Sequence, residues 1–377
     1  MADVLVMGCG LIGASVGLAL RGAGWDVVLD DQNPSVVGEA VRRGAGRPWE
    51  AAESAEIALV AVPPRMTAEA LLALQRLDVS ATYTHVASVQ SHVQHEVEAR
   101  SSNPSVVVGS HPLAGRELSG PRAATGDLFV GRPWALCPTA GNSPPAIEDV
   151  RRLIAACGAD VVELSSAAHD AAVALLSHLP QVASSALAAG LAGSAGAAQG
   201  GTSGMTVDAS RFRLAGAGLV DTTRLAASDP DLWAQILELN AGEVAPVVTA
   251  LGERLLAAGS ALSSLGGAPS PSEAATAVAV LRDLLRDGNT GRALVPVKRG
   301  VRSDAFAPLR VTVSDEPGRL AALLTDAGTA GVNVEDVHVE HVPGRPSGVI
   351  ELLVRLDDVQ PLAKELQALG WSVQQPD

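Results

Sequence analysis

The sequence predicts an α/β protein: a doubly wound, mostly parallel sheet, then an all-helical domain, then a small βαββαβ unit. Three observations predict it. Strands and helices alternate at short spacing from residue 2 to about 165, the pattern of a sheet covered by helices on both faces. From 166 the texture changes to long Ala/Leu-rich helical segments. After 308 short strands return in the order βαββαβ, a ferredoxin-like pattern of about 70 residues. With 377 residues and ~100–200 residues per domain, three domains are expected, at 1–165, 166–295 and 308–377.

The elements follow in order. Ala2–Met7 (ADVLVM) reads as a buried strand. Gly8-Cys9-Gly10-Leu11-Ile12-Gly13 follows at once, and ASVGLALRGAG continues as a helix that ends at Gly22 or Gly24. Asp26–Leu29 is a second strand running into Asp30-Asp31. Next come a helix over Ser35–Arg43, a strand over Ile57–Val62 and a helix over Thr67–Leu77. Strands near Thr84–Val89 and Val106–Gly109, a helix over Pro145–Cys157 and a strand over Asp160–Leu164 complete the sheet domain. In the second domain the helical segments are Ala167–Gly190, Asp231–Leu265 and, after the linker GGAPSPS, Ser272–Gly288. The Gly/Ala/Ser stretch 190–204 reads as a loop or a helix end with a flexible crossing. A connector over 296–308 leads to the last unit: LRVTVSD, GRLAALLTDAGTAG, VNVEDVHVEHV, SGVIELLVRL, VQPLAKELQALG and WSVQQ.

Composition excludes several functions. Hydrophobic residues make up 47% and charged residues 18%, a globular balance. The net charge of −14 argues against a nucleic-acid binder and against an anionic membrane surface as partner. No clean run of ~20 apolar residues suggests a membrane span, and no basic stretch before an apolar core suggests a signal peptide. Cys9, Cys137 and Cys157 fit no metal spacing and are odd in number, so a reducing cytoplasm is expected.

The first chemical motif is Gly8-x-Gly10-x-x-Gly13 between a strand and a helix. Gly8 permits the tight turn, Gly10 lets the backbone approach a pyrophosphate, and Gly13 lets the helix pack on the strand. Leu11 and Ile12 open the helix whose free N–H groups face that anion. An acid about 20 residues on, Asp30 or Asp31, accepts hydrogen bonds from a ribose and repels a 2′-phosphate, which favours NAD over NADP. Val62-Pro63, at the carboxyl end of a neighbouring strand, faces the same crevice. This is a Rossmann-type dinucleotide site.

Other candidates lie at strand ends and in the helical domain. His111, after the strand VVVG and fixed by Pro112, has an ordinary pKa of about 6.5 that suits a general base. Ser88, at the end of HVASV, is placed to orient a proton near His111. Ser177-His178-Leu179-Pro180-Gln181 is a polar cluster on an Ala/Leu helix that needs partners. It reads either as helix–helix hydrogen bonding or as a wall of the cleft. Arg224 on an apolar helical segment is expensive unless it binds a carboxylate, for which its fork is suited. Ser228 or Asp229 before Pro230 reads as a helix cap. His92-x-x-His95-Glu96 has a metal-like spacing without a recognised metal order and reads as a polar helix face.

In this order, GCGLIGASVGLAL, SHPLAGRELSG, LLSHLPQVASSAL and DTTRLAASDPDLW resemble the prephenate/arogenate dehydrogenase family of tyrosine biosynthesis, over about residues 1–290. The resemblance implies NAD-dependent oxidative decarboxylation of prephenate to 4-hydroxyphenylpyruvate, or of arogenate to tyrosine. It implies that His111 takes the hydroxyl proton or hydrogen bond, that Ser88 orients hydroxyl, histidine and nicotinamide, and that Arg224 anchors a substrate carboxylate. His178 matches the first histidine of the family's SHLPH. Three positions differ from the family pattern: Gln181 replaces the second histidine of SHLPH, Arg116 stands beside Glu117 where the family has a small hydroxyl residue, and DxxSVK is here HVASVQ, with His85 and Gln90. Gln181, Arg116 and Glu117 lie where substrate is expected, so they bear on the choice between a keto and an amino side chain.

The tail, with Asp315-Glu316-Pro317-Gly318-Arg319-Leu320 between strand and helix, resembles an ACT domain and implies an aromatic amino-acid effector. The Ala/Leu-rich helices of 167–265 are expected to bury their apolar faces in a homodimer. Two other functions compete with this one. A β-hydroxyacid dehydrogenase would carry a lysine on the first helix of the second domain, but the only lysines are Lys298 and Lys364. A sensor would bind NAD and an amino acid without turnover.

Overall fold

The computed structural model describes residues 1–50, 53–114, 120–196, 212, 214–295, 305–341 and 347–374. Its first half runs β1 (Ala2–Met7), α1 (Leu11–Gly22), β2 (Val27–Asp30), α2 (Pro34–Arg42), β3 (Arg47–Pro48), β4 (Ala55–Val60) and α3 (Pro64–Arg76). It continues through β5 (Ser80–His85), α4 (Ser91–Arg100), β6 (Val107–Pro112), β7 (Pro133–Cys137), α5 (Pro144–Ala156) and β8 (Asp160–Glu163). These strands form one eight-stranded sheet of order β3-β2-β1-β4-β5-β6-β7-β8. Every pair is parallel except β6–β7. The order reverses between β1 and β4, so the crevice of the doubly wound fold opens at their carboxyl ends, beside the glycine turn.

The unbroken apolar strands are what a sheet covered on both faces requires. Successive residues serve opposite cores. Val4, Val6, Val27, Leu29, Ile57 and Leu59 join a core that includes Phe129 and Trp134. Leu5, Val28, Ala58 and Val60 join a second core with Leu71, Leu74 and Tyr83.

β3 (Arg47–Pro48) is absent from the sequence expectation, β4 begins and ends two residues earlier than expected, and three further strands differ because pairing overrides local pattern. β5 spans 80–85 instead of 84–89: its ladder with β4 pairs Ala55 with Ser80 and Val60 with His85 and then ends. Ser88 therefore sits in the loop beyond the strand. β6 runs on through His111 and Pro112 because these pair with Ala135 and Trp134 of β7. β7 itself, PWALC, follows an irregular stretch and pairs antiparallel, so no strand–helix alternation announces it.

The helical part contains α6 (Ser166–Val173), a wide π turn over Ala174–His178, α7 (Leu179–Gly196), α8 (Ala217–Thr223), a 3₁₀ turn over Arg224–Ala227, α9 (Pro230–Leu239) and α10 (Ala241–Gly266). Asp229 is the cap of α9: its Oδ1 accepts the N–H groups of Asp231 at 2.9 Å and Leu232 at 3.1 Å. The helix expected over 231–265 breaks at Asn240, whose φ of −112° and ψ of 22° leave the helical region. Most of the low-complexity stretch 190–204 lies outside the described residues. The segment Ser166–Leu191 is long and apolar enough to cross a membrane by length and composition. Its buried positions, however, include His169, Asp170, His178 and Gln181, all hydrogen-bonded within the chain.

The chain divides into two compact units, Met1–Leu251 and Gly252–Asp377. In the second, α11 (Pro271–Leu294) starts with a capping box between Ser270 and Glu273. β9 (Phe306–Ser314), α12 (Arg319–Thr329), β10 (Asp336–His341), β11 (Ser347–Arg355), α13 (Val359–Ala368) and β12 (Ser372–Val373) follow, with an antiparallel sheet of order β10-β11-β9-β12. Alternate residues of β9 (Leu309, Val311, Val313) and β11 (Ile350, Leu352, Val354) pack against Leu323 of α12 and Leu362 and Leu366 of α13.

Candidate active site

The glycine turn joins β1 to α1. Gly8 has φ +96°, and a Cβ there would lie 2.5 Å from the Ala61 carbonyl oxygen. A Cβ on Gly13 would lie 1.8 Å from the Gly8 carbonyl oxygen. Only hydrogen fits at either place. Gly10 differs: nothing lies within 4 Å of where its Cβ would be. Gly10 is also the N-cap of α1, no side chain caps that helix, and no acid sits in its first turn, which Leu11, Ile12 and Gly13 form. The uncapped end offers N–H groups and the positive end of the helix dipole to a pyrophosphate.

Asp31 closes the turn from the β2 side. Its Oδ2 accepts the Cys9 N–H at 2.8 Å and its Oδ1 accepts the Asn33 N–H at 2.9 Å, so the carboxylate is held beside the glycines. Asp30 contributes its carbonyl, which accepts the Gly8 N–H at 2.8 Å. Burial raises the Asp30 carboxyl above its ordinary range. Val62 borders Gly8 from the end of β4, and Pro63 caps α3. The set of residues fits a dinucleotide. Among the described residues, no group of three or more His, Cys, Asp or Glu side chains is placed to hold a metal ion.

His111 is half-buried near the end of β6. Its Nδ1 lies 2.9 Å from His169 Nε2, and His169 Nδ1 lies 2.8 Å from Asp170 Oδ1. Asp170 also accepts the N–H groups of Gln90 and Ser91, each at 2.8 Å. Those N–H groups belong to the start of α4, so one carboxylate of α6 caps a helix of the sheet layer and anchors a chain of two histidines. Burial pushes the Asp170 carboxyl up, but the hydrogen bonds from His169, Gln90 and Ser91 outweigh it and hold the group below the usual carboxylate range.

The loop bearing Ser88 is fixed by Gln90, whose Nε2 donates to the Ala87 carbonyl at 2.6 Å and the Ser110 carbonyl at 3.1 Å. Gly109 accommodates it, since a Cβ there would meet Gln90 Oε1 at 2.5 Å. Ser88 is half-buried, and its hydroxyl makes no hydrogen bond among the described residues. His85, fully buried below, accepts the Ala87 N–H at 3.3 Å through Nδ1. His178 ends the π turn. Its Nδ1 faces the Asn240 amide at 3.2 Å, and the same amide nitrogen donates to the Asp170 carbonyl at 2.9 Å. The edge of Trp233 completes its surroundings.

Burial depresses three of these histidines: His85 to about 3, His178 to about 4, and His111 well below its ordinary value. Each is neutral in the folded protein at neutral pH. Because the unfolded histidines take up protons at ~6.5 while the folded ones do not, acid favours unfolding. The melting temperature is expected to fall steadily from pH ~6.5 towards the folded values near 4 and 3, and His85→Asn is expected to flatten that fall. A melting temperature level across this range would contradict the assignment of neutral, buried imidazoles.

Gln181 bonds to the 3₁₀ turn that begins at Arg224. Gln181 Nε2 donates to the Leu225 carbonyl at 2.9 Å, and Ser228 donates to Gln181 Oε1 at 3.4 Å. Ser184 accepts the Ala226 N–H at 3.1 Å. The SHLPQ cluster thus makes the hydrogen bonds that one of its two readings expects: Gln181 joins helix to turn, and His178 faces Asn240. Arg224 is exposed at the start of the turn, so the desolvation cost expected of it does not arise. Arg116 and Glu117 lie outside the described residues.

Sequence reasoning passed over His169, Asp170 and Asn240. A signal existed in His169-Asp170, two adjacent polar residues in an Ala-rich segment eight and nine positions ahead of His178. Asn240 carries no local signal.

Residues 16–163 match the nucleotide-binding domain of prephenate dehydrogenase, and 165–263 match its dimerization domain. A protein of Streptomyces niveus, "Probable prephenate dehydrogenase NovF", is 35% identical over 374 residues, covering 98% of this chain and 99% of that one. The chain belongs to the prephenate dehydrogenase family. It is an NAD-dependent oxidoreductase of that family. This dehydrogenase is also 31% identical to the cyclohexadienyl dehydrogenase of Zymomonas mobilis, over 65% of this chain and 83% of that one. Among solved structures, prephenate dehydrogenase from Aquifex aeolicus, in complex with hydroxyphenyl propionate and NAD+, matches with a TM-score of 0.63 at 25% identity, covering 77% of this chain and 98% of that one. The arogenate dehydrogenase of Synechocystis matches with a TM-score of 0.59 at 26% identity, with the same coverages of 77% and 98%. The match to the Streptomyces protein is long enough to take in the C-terminal sheet of the second unit.

Proposed function

We propose that this chain converts prephenate to 4-hydroxyphenylpyruvate with His111 as the base, in tyrosine biosynthesis. The observation that carries the reading is the hydrogen-bonding state of His111. Ionised Asp170 only accepts, so His169 carries its proton on Nδ1 and presents a lone pair on Nε2. His111 then donates from Nδ1 and keeps Nε2 as an acceptor for a substrate hydroxyl. NAD, held by Gly8, Gly10 and Gly13 with Asp31 towards the ribose, accepts the hydride from the carbinol carbon. Ser88, on the loop that Gln90 pins, orients the hydroxyl. Arg224 pairs with a carboxylate, and His178 forms the wall between them. In this reaction the ring loses a hydride and CO2, and the product phenol retains the oxygen's proton. His111 therefore borrows a proton and returns it.

Prephenate and arogenate differ only in a keto or an amino group on the side chain. Purified protein given NAD with each in turn is expected to form NADH with prephenate at the higher kcat/KM; a preference for arogenate would reverse the substrate assignment. Gln181 works here through Arg224. Gln181→Ala removes the bond to the Leu225 carbonyl, worth about 0.5–1.5 kcal/mol, and frees the turn. A rise in KM of about tenfold with kcat nearly unchanged is expected from steady-state rates.

The assembly and regulation follow from the same reading. Leu175, Leu176 and Leu187 are exposed on the π turn and α7, in the segment matching a dimerization domain. They support a homodimer, to be checked by sedimentation. The βαββαβ order, with Gly318 at φ +86° ahead of α12, supports an ACT unit that takes tyrosine or phenylalanine. Three buried, unpaired thiols support a reducing, cytoplasmic setting.

A further inference from the structure

His111 as base explains one histidine; capping α4 explains part of Asp170, and neither accounts for the buried His169 between them. His169 and Asp170 are each 2% exposed and lie on an Ala-rich helix, where a charge is costly unless it is used. We propose that His169 and Asp170 are positioning residues forming a closed proton relay behind His111, which fixes its tautomer and shares the charge of its protonated form. The proposal deepens the reading above and rests on His111 being the base.

The geometry sets direction and limits. Asp170 Oδ1 meets His169 Nδ1 at 2.8 Å, and His169 Nε2 meets His111 Nδ1 at 2.9 Å. The Gln90 N–H shares Asp170 Oδ1 with His169, and the Ser91 N–H takes Oδ2. Those are amide donors that cannot take up a proton, so the chain ends inside the protein. A relay with no exit suits a reaction that releases no net proton. The hydroxyl proton moves to His111 Nε2, and the resulting imidazolium shares its Nδ1 proton with His169, whose own proton leans towards Asp170. The C–H bond of the carbinol carbon breaks and its electron pair leaves as hydride to the oxidised nicotinamide. The bond to the ring carboxylate breaks, its pair stays in the ring to complete the aromatic system, and CO2 leaves. The proton on Nε2 then returns to the phenolate oxygen.

The other groups facing this chain supply no competing negative charge. His85 approaches from β5 and His178 from the π turn, both held neutral by burial. Cys137 approaches from β7 with its thiol pushed up to about 12. Asp170 is the carboxylate that acts on His111.

Two variants and one spectrum test the relay. In His169→Gln, the side-chain oxygen can still accept from His111 Nδ1–H, so orientation survives while the link to Asp170 is cut. The expected result is a fall in kcat of about 10²-fold, the low end of general-base effects, with KM and NAD affinity unchanged and a displaced acid limb of the kcat profile. A kcat within twofold of the parent would overturn the relay. Asp170→Asn is expected to cost at least as much, since an amide cannot accept from His169, Gln90 and Ser91 together. Because Asp170 also caps α4, that variant is read only if its melting curve matches the parent. The spectrum needs neither turnover nor cofactor: ¹⁵N-histidine NMR of the NAD-free protein is expected to show His111 protonated on Nδ1. Protonation on Nε2 would also overturn the relay. His111→Asn separates the two levels: retained turnover there removes the base reading itself, whereas its loss beside an unaffected His169→Gln removes only the relay.

Discussion

His111→Asn is expected to lower kcat by about 10²–10⁴-fold, the usual contribution of a positioned general base. Asparagine keeps a hydrogen-bonding group towards His169 but offers no basic lone pair where Nε2 stands. Because burial holds His111 well below its ordinary pKa, the parent enzyme is in its base form throughout the neutral range. Its kcat is therefore expected to stay level below pH ~6.5, where an unperturbed histidine would already be losing activity. NAD binding, measured by titration, should be unchanged, since the glycine turn lies across the sheet from β6. Turnover within tenfold of the parent would contradict the assignment of the base.

The second large effect is at Gly13. Even Ala places a Cβ within 1.8 Å of the Gly8 carbonyl oxygen, which no rotamer can relieve. Gly13→Val is expected to push α1 off the sheet, destabilise the protein by about 1–3 kcal/mol or more, and abolish NAD binding. Gly10→Val provides the contrast. With nothing within 4 Å of its Cβ position, it is expected to leave the melting temperature unchanged while weakening NAD binding at least tenfold, because its side chain enters the space of the pyrophosphate. Equal behaviour of the two variants in both measurements would contradict the division of labour between packing and ligand approach.

What the sequence showed and concealed follows from locality. The glycine turn, its preceding strand and the acid after β2 lie within one short βαβ stretch, so spacing alone exposes them. The apolar runs of β1, β2 and β4 likewise announce a sheet buried on both faces. Ser88 was assigned to a strand end because HVASV is locally strand-like; only the ladder with β4 shows that the strand stops at His85. His169 and Asp170 were passed over because their meaning is tertiary. Asp170 acquires its role from N–H groups 79 and 80 positions away in sequence, and His169 from a ring 58 positions away. Gln181 is expected to face substrate, and what the sequence does not show is its bonding to the turn that carries Arg224. Asn240 breaks a predicted helix in order to reach Asp170 and His178, which no local propensity would reveal.

The central claim is that one site removes a hydride and a carboxylate from the same ring. The most direct test is a single turnover with NAD and prephenate carrying deuterium on the carbinol carbon and ¹³C in the ring carboxylate. The account predicts one equivalent of deuterated NADH and one equivalent of labelled CO2, formed together and slowed by the deuterium. NADH without CO2 release, or no NADH from a protein that binds NAD, would contradict it.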